Sequence, residues 1–274
     1  MDRLPSDRPR ASLAAQLRFA WRTVFETLGP RRFARVLEGR LAGRTIDASN
    51  TELVPITGPV VFAVNHYFAG LTLDVVSATL LAAARERPAI ADECAVVVGH
   101  RVRSPESTMK RLFAAIVRAF GGWFFDRWRA NVVRIRSTRD HDEPTFSPVE
   151  NRAARSLAGL RAFRACATTK PTLVFPEGIA RRELGAMRDG VGPWLASLRV
   201  PVIPVAVWWS GDAWRVVFGA PLEWSSRREL RDVQLGLAIA ALLPSELAPD
   251  WAETLERWRE AHGTTSPRSV SIAS

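Results

Sequence analysis

The stretch from Gly58 to Asp74 constrains the fold more than any other, because one histidine lies where a strand gives way to a helix. A glycine-proline turn precedes the apolar run Val60 to Val64, which is short and β-branched and therefore predicts a buried strand. This strand ends at Asn65-His66. Asp74 is predicted to cap a helix over residues 75–84. Open α/β sheets bind ligands outside the carboxyl ends of their strands, so we expect the functional site here.

The rest of the chain alternates strand and helix patterns. Further strands are predicted at Cys94 to Gly99, Thr172 to Phe175 and Val200 to Trp208, with helical periods between them. Trp214 to Phe218 is expected to pair with the last of these as an edge strand. Residues 128–148 are charged and rich in turn formers, which predicts an exposed loop. The pattern indicates an α/β fold with a largely parallel central sheet flanked by helices.

Three parts are predicted along the chain: a basic amphipathic helical arm over residues 1–45, an α/β domain over 46–263 and a disordered tail over 264–274. Apolar residues recur at three- and four-residue steps from Leu13 to Leu28, and again in a shorter helix ending near Leu41. A basic amphipathic pair of helices can lie in the plane of a membrane. It can equally pack as a hairpin on its own domain, and the sequence leaves both interpretations open.

The charge of the chain points to an anionic partner. The net charge is +10 and comes almost wholly from arginine, since Lys110 and Lys170 are the only lysines. Arginine binds planar anions such as phosphate and carboxylate, so nucleic acid and membrane lipid both fit. Ten tryptophans against one tyrosine favour the membrane interface, although such residues also form cores. We expect a peripheral protein on the cytoplasmic face of a membrane, without nucleic acid as a partner.

Neither a membrane span nor a metal site is expected from the sequence. The apolar runs are shorter than the roughly 18–20 residues of a spanning helix, and the N-terminus lacks a signal-peptide profile. Cys94 and Cys166 lie far apart and fit no metal-ligand spacing, so they are interpreted as apolar fillers in a reducing setting.

Four segments, each at the end of a predicted strand, carry candidate chemistry. They are Asn65-His66 with Asp74, Gly121 to Arg127, Phe175 to Gly178, and Val200 to Pro204. Their order, residue types and separations resemble those of the glycerolipid and lysophospholipid acyltransferase family. The resemblance covers about residues 58–207, and the four segments together are specific where any one would be weak.

The resemblance implies transfer of a fatty acyl group from acyl-CoA or acyl carrier protein to a hydroxyl of a lysophospholipid, glycerol phosphate or related lipid. No other cofactor is implied. An alcohol attacks a thioester once a base removes its proton, and a histidine held by a carboxylate suits that role at neutral pH. His66 is therefore predicted as the general base, with Asp74 orienting its ring.

Substrate-binding residues are predicted around this base. Arg127, with Arg181 or Arg182, would bind an acceptor phosphate, although exposed arginines of this kind also occur in solvated loops. Glu177 would accept a hydrogen bond from a substrate hydroxyl, and Gly178 would allow close approach of the backbone. Asn65, which precedes the base in its motif, is placed with the same group.

Two departures from the family pattern bear on these assignments. The family separates its histidine and aspartate by four residues, where this chain has Leu71, and the acid comes three residues later as Asp74. The third motif continues Ile179-Ala180-Arg181, so its arginine is displaced by one residue from the usual Gly-Thr-Arg. A non-catalytic relative that binds lipid or acyl chains is the alternative function, and the altered spacing is its best argument.

Overall fold

A computed structural model describes residues 33–68, 71–99, 132–135 and 159–262. Seven strands are present in this part of the chain: β1 (Thr45–Ser49), β2 (Val61–Val64), β3 (Ala95–Gly99), β4 (Val132–Ile135), β5 (Thr172–Val174), β6 (Val202–Ser210) and β7 (Ala213–Phe218). The helices are α1 (Phe33–Arg40), α2 (Thr72–Ala83), α3 (Ile90–Glu93), α4 (residues 159–167), α5 (Val191–Ala196), α6 (Arg231–Ala240) and α7 (Ala252–His262).

The described strands form one sheet in the order β1-β7-β6-β2-β5-β3-β4. All neighbouring pairs are parallel except β6 and β7, which form an antiparallel hairpin, so five strands run one way and two the other. The predicted α/β fold with a largely parallel sheet and flanking helices is confirmed.

The central position of β2 in the sheet agrees with its complete burial. All four of its residues are inaccessible to solvent, and both of its neighbours, β5 and β6, run parallel to it. A strand covered on both faces must be apolar throughout, which is the composition of the run that begins at Val60. Because β2, β5 and β6 are parallel, their carboxyl ends meet at one edge of the sheet.

Two strands lie where they were not predicted. β4 falls inside the predicted exposed loop over residues 128–148, where β-branched residues are interrupted by arginine. β1 pairs with β7, so β7 is not the edge strand that was predicted. Exposed and half-buried residues alternate along β1, and its short sequence Thr-Ile-Asp-Ala-Ser gives little strand signal on its own.

Helix α2 starts earlier than predicted, and this changes the position of Asp74. The helix begins at Thr72 after Leu71, so Asp74 lies in its first turn and is not the N-cap. The second helix of the predicted arm is present as α1, where Leu37 is fully buried, and Leu41 directly after the helix is nearly so. The part of the arm that the structure describes therefore packs against the domain.

Other predictions fall on residues outside the described ranges. These are the helix around Leu13 to Leu28, the segment Gly121 to Arg127 and the tail over 264–274. Within the described ranges, none of the helices combines the length and the apolar character that crossing a bilayer requires.

Candidate active site

The carboxyl ends of β2 and β5 bring two of the predicted motifs together. The Arg181 N–H donates to the His66 carbonyl at 2.9 Å, and the Phe68 N–H donates to the Arg181 carbonyl at 2.8 Å. Phe68 has a left-handed backbone with φ of 51°, which turns the chain away from the strand end. Backbone hydrogen bonds thus join the loop that follows β2 to the loop that follows β5.

Glu177 fastens the same two loops through its side chain. One carboxylate oxygen accepts the His66 N–H at 2.6 Å, and the other accepts the Gly185 N–H at 2.8 Å. Burial raises the pKa of Glu177, while these two bonds and the nearby charge of Arg181 act in the opposite direction. Both oxygens serve the protein backbone, so Glu177 shapes the loop that presents His66.

The ring of His66 is held on two sides. It stacks on Phe175 with 4.3 Å between ring centroids and 20° between planes. Its Nε2 lies 2.9 Å from Oγ1 of Thr72, the first residue of α2. Its Nδ1 is buried without a hydrogen-bond partner among the described residues. Burial lowers the pKa of His66 to about 4, so the imidazole is neutral at pH 7.

Asp74 is not brought to His66 in the described structure. Its carboxylate is 1% exposed and accepts from Nε of Arg40 at 3.0 Å, with a second bond from the same guanidinium at 2.5 Å. Arg44 donates to the other oxygen at 3.0 Å. The predicted direct orientation of His66 by Asp74 is replaced by the Thr72 contact, because the helix starts at Thr72 and directs the carboxylate to these arginines.

The side chain of Asn65 forms hydrogen bonds within the sheet. Its Nδ2 donates to the Val207 carbonyl at 3.0 Å, and the Val207 N–H donates to its Oδ1 at 2.7 Å. The side chain is buried, and its amide joins β2 to β6 just beyond the last pairs of the strand ladder. With both ends of the amide occupied, Asn65 positions the strand end that carries His66.

The remaining predicted binding residues lie in the loop after β5, except Arg127, which is outside the described ranges. Gly178 has φ of 71°, a conformation that favours glycine. Arg181 is exposed, and Arg182 is half-buried. Sequence reasoning missed Arg188, whose guanidinium lies 3.4 Å from where a Cβ on Gly178 would stand.

Thr72 is the other site residue that sequence reasoning missed. The sequence does mark this residue, since a hydroxyl residue stands directly after Leu71, the position where the family has its carboxylate.

Among the described residues, no cluster of three or more histidine, cysteine, aspartate or glutamate side chains could hold a metal ion.

A family model described as "Acyltransferase" matches residues 45–208, which is more than half of the 274-residue chain. This chain belongs to the acyltransferase family. The matched range contains His66, Glu177 and the other motif residues, and the predicted membership of an acyltransferase family is confirmed.

The solved structures that are similar to this acyltransferase-family chain include one from a thermophilic bacterium. This one is the crystal structure of the 1-acyl-sn-glycerophosphate (LPA) acyltransferase PlsC from Thermotoga maritima, with 13% sequence identity and a TM-score of 0.46. The match covers 84% of this chain and 94% of that one. No match to the chain was found among curated proteins.

Proposed function

We propose that this protein transfers a fatty acyl group from a thioester donor, acyl-CoA or acyl carrier protein, to a lipid hydroxyl, with His66 as general base. The acceptor is a lysophospholipid, a glycerol phosphate or a related lipid alcohol. Family membership supports the reaction class. The contacts of the His66 ring support the assignment of the base.

The reaction needs one proton acceptor and no nucleophile from the enzyme. A ring nitrogen of His66 takes the proton of the acceptor hydroxyl as its oxygen attacks the thioester carbonyl. The tetrahedral intermediate collapses by breaking the carbon–sulfur bond. The departing thiolate takes the proton from the imidazolium, which leaves an ester, a free thiol and a neutral histidine.

The observation that carries this proposal is a neutral imidazole fixed at the carboxyl end of a central strand. Burial keeps His66 unprotonated at pH 7, so its lone pair is available without prior loss of a proton. Phe175 and Thr72 fix the ring in orientation. A base that acts on a bound hydroxyl requires such a fixed direction, because its efficiency depends on geometry.

A phosphate on the acceptor would be bound by arginines of the loop after β5. Arg181 is exposed beside Glu177, and Arg188 lies over Gly178, so two guanidinium groups border the loop that touches His66. A guanidinium group can donate two parallel hydrogen bonds to the oxygens of one phosphate. We propose Arg127 and Arg182 as further phosphate ligands on the strength of their motifs.

We also propose that the protein acts at the membrane surface without crossing it. The net charge of +10 favours anionic lipid, and the acceptor is itself a lipid. A basic arm that precedes the domain would hold the enzyme where its substrate lies.

A non-catalytic lipid-binding relative is the second candidate. Two observations favour it: the Asp74 carboxylate is occupied by Arg40 and Arg44, and a histidine with a pKa near 4 is a weak base. In this case the fold would bind acyl chains or lipid without turnover.

The test measures acyl transfer from palmitoyl-CoA to glycerol 3-phosphate, lysophosphatidate and phosphate-free alcohols. His66→Ala is expected to lower turnover about 10²–10⁴-fold. His262→Ala, in the last turn of α7, is the matched control and should leave turnover unchanged. Turnover that survives in His66→Ala contradicts the assigned base. If the wild-type protein transfers to no acceptor from palmitoyl-CoA or palmitoyl-acyl carrier protein yet binds acyl-CoA or lipid tightly, the non-catalytic function replaces this one.

A further inference from the structure

The buried carboxylate of Asp74 joins three segments of the chain. Arg40 is the last residue of α1, Arg44 directly precedes β1, and Asp74 lies in the first turn of α2. Both arginine side chains are about one-fifth exposed, whereas the carboxylate is almost fully buried. The Arg44 guanidinium also lies over the Trp209 ring at 5.6 Å from its centroid. We call Arg40, Arg44 and Asp74 the arginine clamp.

Asp74 of the arginine clamp lies two residues from Thr72, the residue that contacts the His66 ring. Thr72 and Asp74 belong to the same first turn of α2, and Thr72 contacts His66. A helical turn moves as a unit because its backbone hydrogen bonds fix the relative positions of its residues. Any shift of the turn at Asp74 therefore moves the Thr72 hydroxyl relative to the imidazole.

The cost of breaking the clamp falls on this turn. A buried charge that loses its partner is strongly unfavourable, so Asp74 stays where both guanidinium groups can reach it. Without the carboxylate, two neighbouring positive charges would repel each other, and the ion-pair link between α1 and α2 would be lost. The Asp74 side chain thus links the placement of α1 to the placement of Thr72.

A second carboxylate offers a natural comparison. Asp92 in α3 accepts the Ala34 N–H at 2.9 Å and so holds the first turn of α1. It anchors the same helix as Asp74 does, but from an element that does not carry Thr72. Comparing variants of the two aspartates therefore distinguishes the anchoring of α1 from the positioning of His66.

We infer that Asp74 is a positioning residue that acts on His66 through Thr72. The arginine clamp fixes the first turn of α2 at the position where Thr72 contacts the His66 ring. The inference rests on the proposed function for its kinetic consequence. It assigns a role to the acid that the sequence placed beside His66, although the two side chains do not touch.

The experiment compares Asp74→Asn with Asp92→Asn in the full-length protein. It measures kcat, KM, the free energy of unfolding and the ¹⁵N chemical shifts of the His66 imidazole, assigned by comparison with His66→Gln. Asp74→Asn is expected to lower kcat by up to about tenfold, no more than the loss of the Thr72 hydroxyl itself, with little change in KM, and to shift the His66 signals. Asp92→Asn should lower stability while leaving kcat and the His66 signals as they are.

A double-mutant cycle that combines Asp74→Asn with Thr72→Val tests whether Asp74 acts on His66 through Thr72. If Asp74 acts through Thr72, the variant carrying both changes loses no more kcat than Thr72→Val alone. Losses that multiply, or equal effects of Asp74→Asn and Asp92→Asn on kcat, would overturn the inference. Should Asp74→Asn fail to fold, Arg44→Gln leaves Arg40 on the carboxylate and is expected to give a smaller loss in the same cycle.

The spectroscopic measurement keeps this inference separate from the proposed function. A wild-type protein without turnover would remove the proposed function, while the His66 shifts would still show whether Asp74 positions the ring. Unchanged His66 shifts in a folded Asp74→Asn protein would remove the inference and leave the proposed reaction standing.

Discussion

Oγ1 of Thr72 lies 2.9 Å from Nε2 of His66, in the place where a carboxylate partner was predicted for the imidazole. A hydroxyl can donate to a ring nitrogen or accept from it, so this contact fits either tautomer of the neutral histidine. Unlike a carboxylate, it gives no strong charge stabilisation to an imidazolium. The described contact to the His66 ring nitrogen therefore comes from a neutral group.

Replacement of Thr72 by valine should impair the reaction while preserving the fold. The change keeps the shape of the side chain and removes the hydroxyl, so the ring loses a positioning bond and kcat is expected to fall about tenfold. Steady-state kinetics with the preferred acceptor checks this. Thr79→Val is the control, because the Thr79 hydroxyl donates to the Val75 carbonyl within the same helix. Equal activity of the two variants would contradict a role for Thr72.

The pH dependence of kcat/KM should reflect the low pKa of His66. Since burial holds that pKa at about 4, the base is already unprotonated well below neutrality. We expect kcat/KM to be level through the neutral range and to fall in acid with a midpoint near 4. A midpoint near the ordinary value of 6.5 would show that the reacting histidine is not buried as described.

The same pKa shift makes stability depend on pH with a defined sign. The pKa of His66 is lower in the folded state than in the unfolded chain, so the unfolded state binds a proton first as the pH falls. The contribution of neutral His66 to the free energy of unfolding is present above 6.5 and is lost as the pH falls from 6.5 through about 4. Urea unfolding at several pH values, compared with His66→Gln, isolates it. An unchanged difference between the two proteins across this range would contradict the prediction.

Asn65→Ala should destabilise the sheet. The change leaves the Val207 N–H and carbonyl without partners in a buried position, at a cost of about 1–3 kcal/mol for each orphaned group. The free energy of unfolding in urea measures the effect. Thr51→Ala, which removes an exposed side-chain bond to Glu86, serves as a control with little expected change. A stable Asn65→Ala protein with reduced substrate affinity would instead support the substrate-binding role predicted from sequence.

Two glycine substitutions should have opposite effects. A Cβ on Gly236 would lie 2.0 Å from the Trp251 ring, so Gly236→Ala is expected to destabilise the protein by about 1–3 kcal/mol through overpacking. Gly39, within α1, has no atom within 4 Å of such a Cβ. Gly39→Ala should stabilise the protein by about 0.5–1 kcal/mol, because alanine is the better helix former. Thermal unfolding of both variants provides the test, and a stabilised Gly236→Ala would contradict the described packing of α6.

Local patterns in the sequence determined the fold class, most of the strands and helices, the family and the position of the candidate base. Apolar runs such as Val60 to Val64 predict buried strands because both faces of a central parallel strand must be apolar. The motifs around His66 and Glu177 were recognisable because each occupies a few consecutive residues at a strand end. The strands that went unrecognised, β1 and β4, are interrupted by polar residues.

Only the tertiary structure decided the partners of the functional side chains. Asp74 meets Arg40 from 34 residues away, and Asn65 meets Val207 from 142 residues away. No spacing along the chain encodes such pairs, since they depend on which strands and helices become neighbours after folding. The sequence therefore determined which residues stand near the candidate site, and the packing of distant segments decided that Thr72 contacts His66 while Asp74 holds α1.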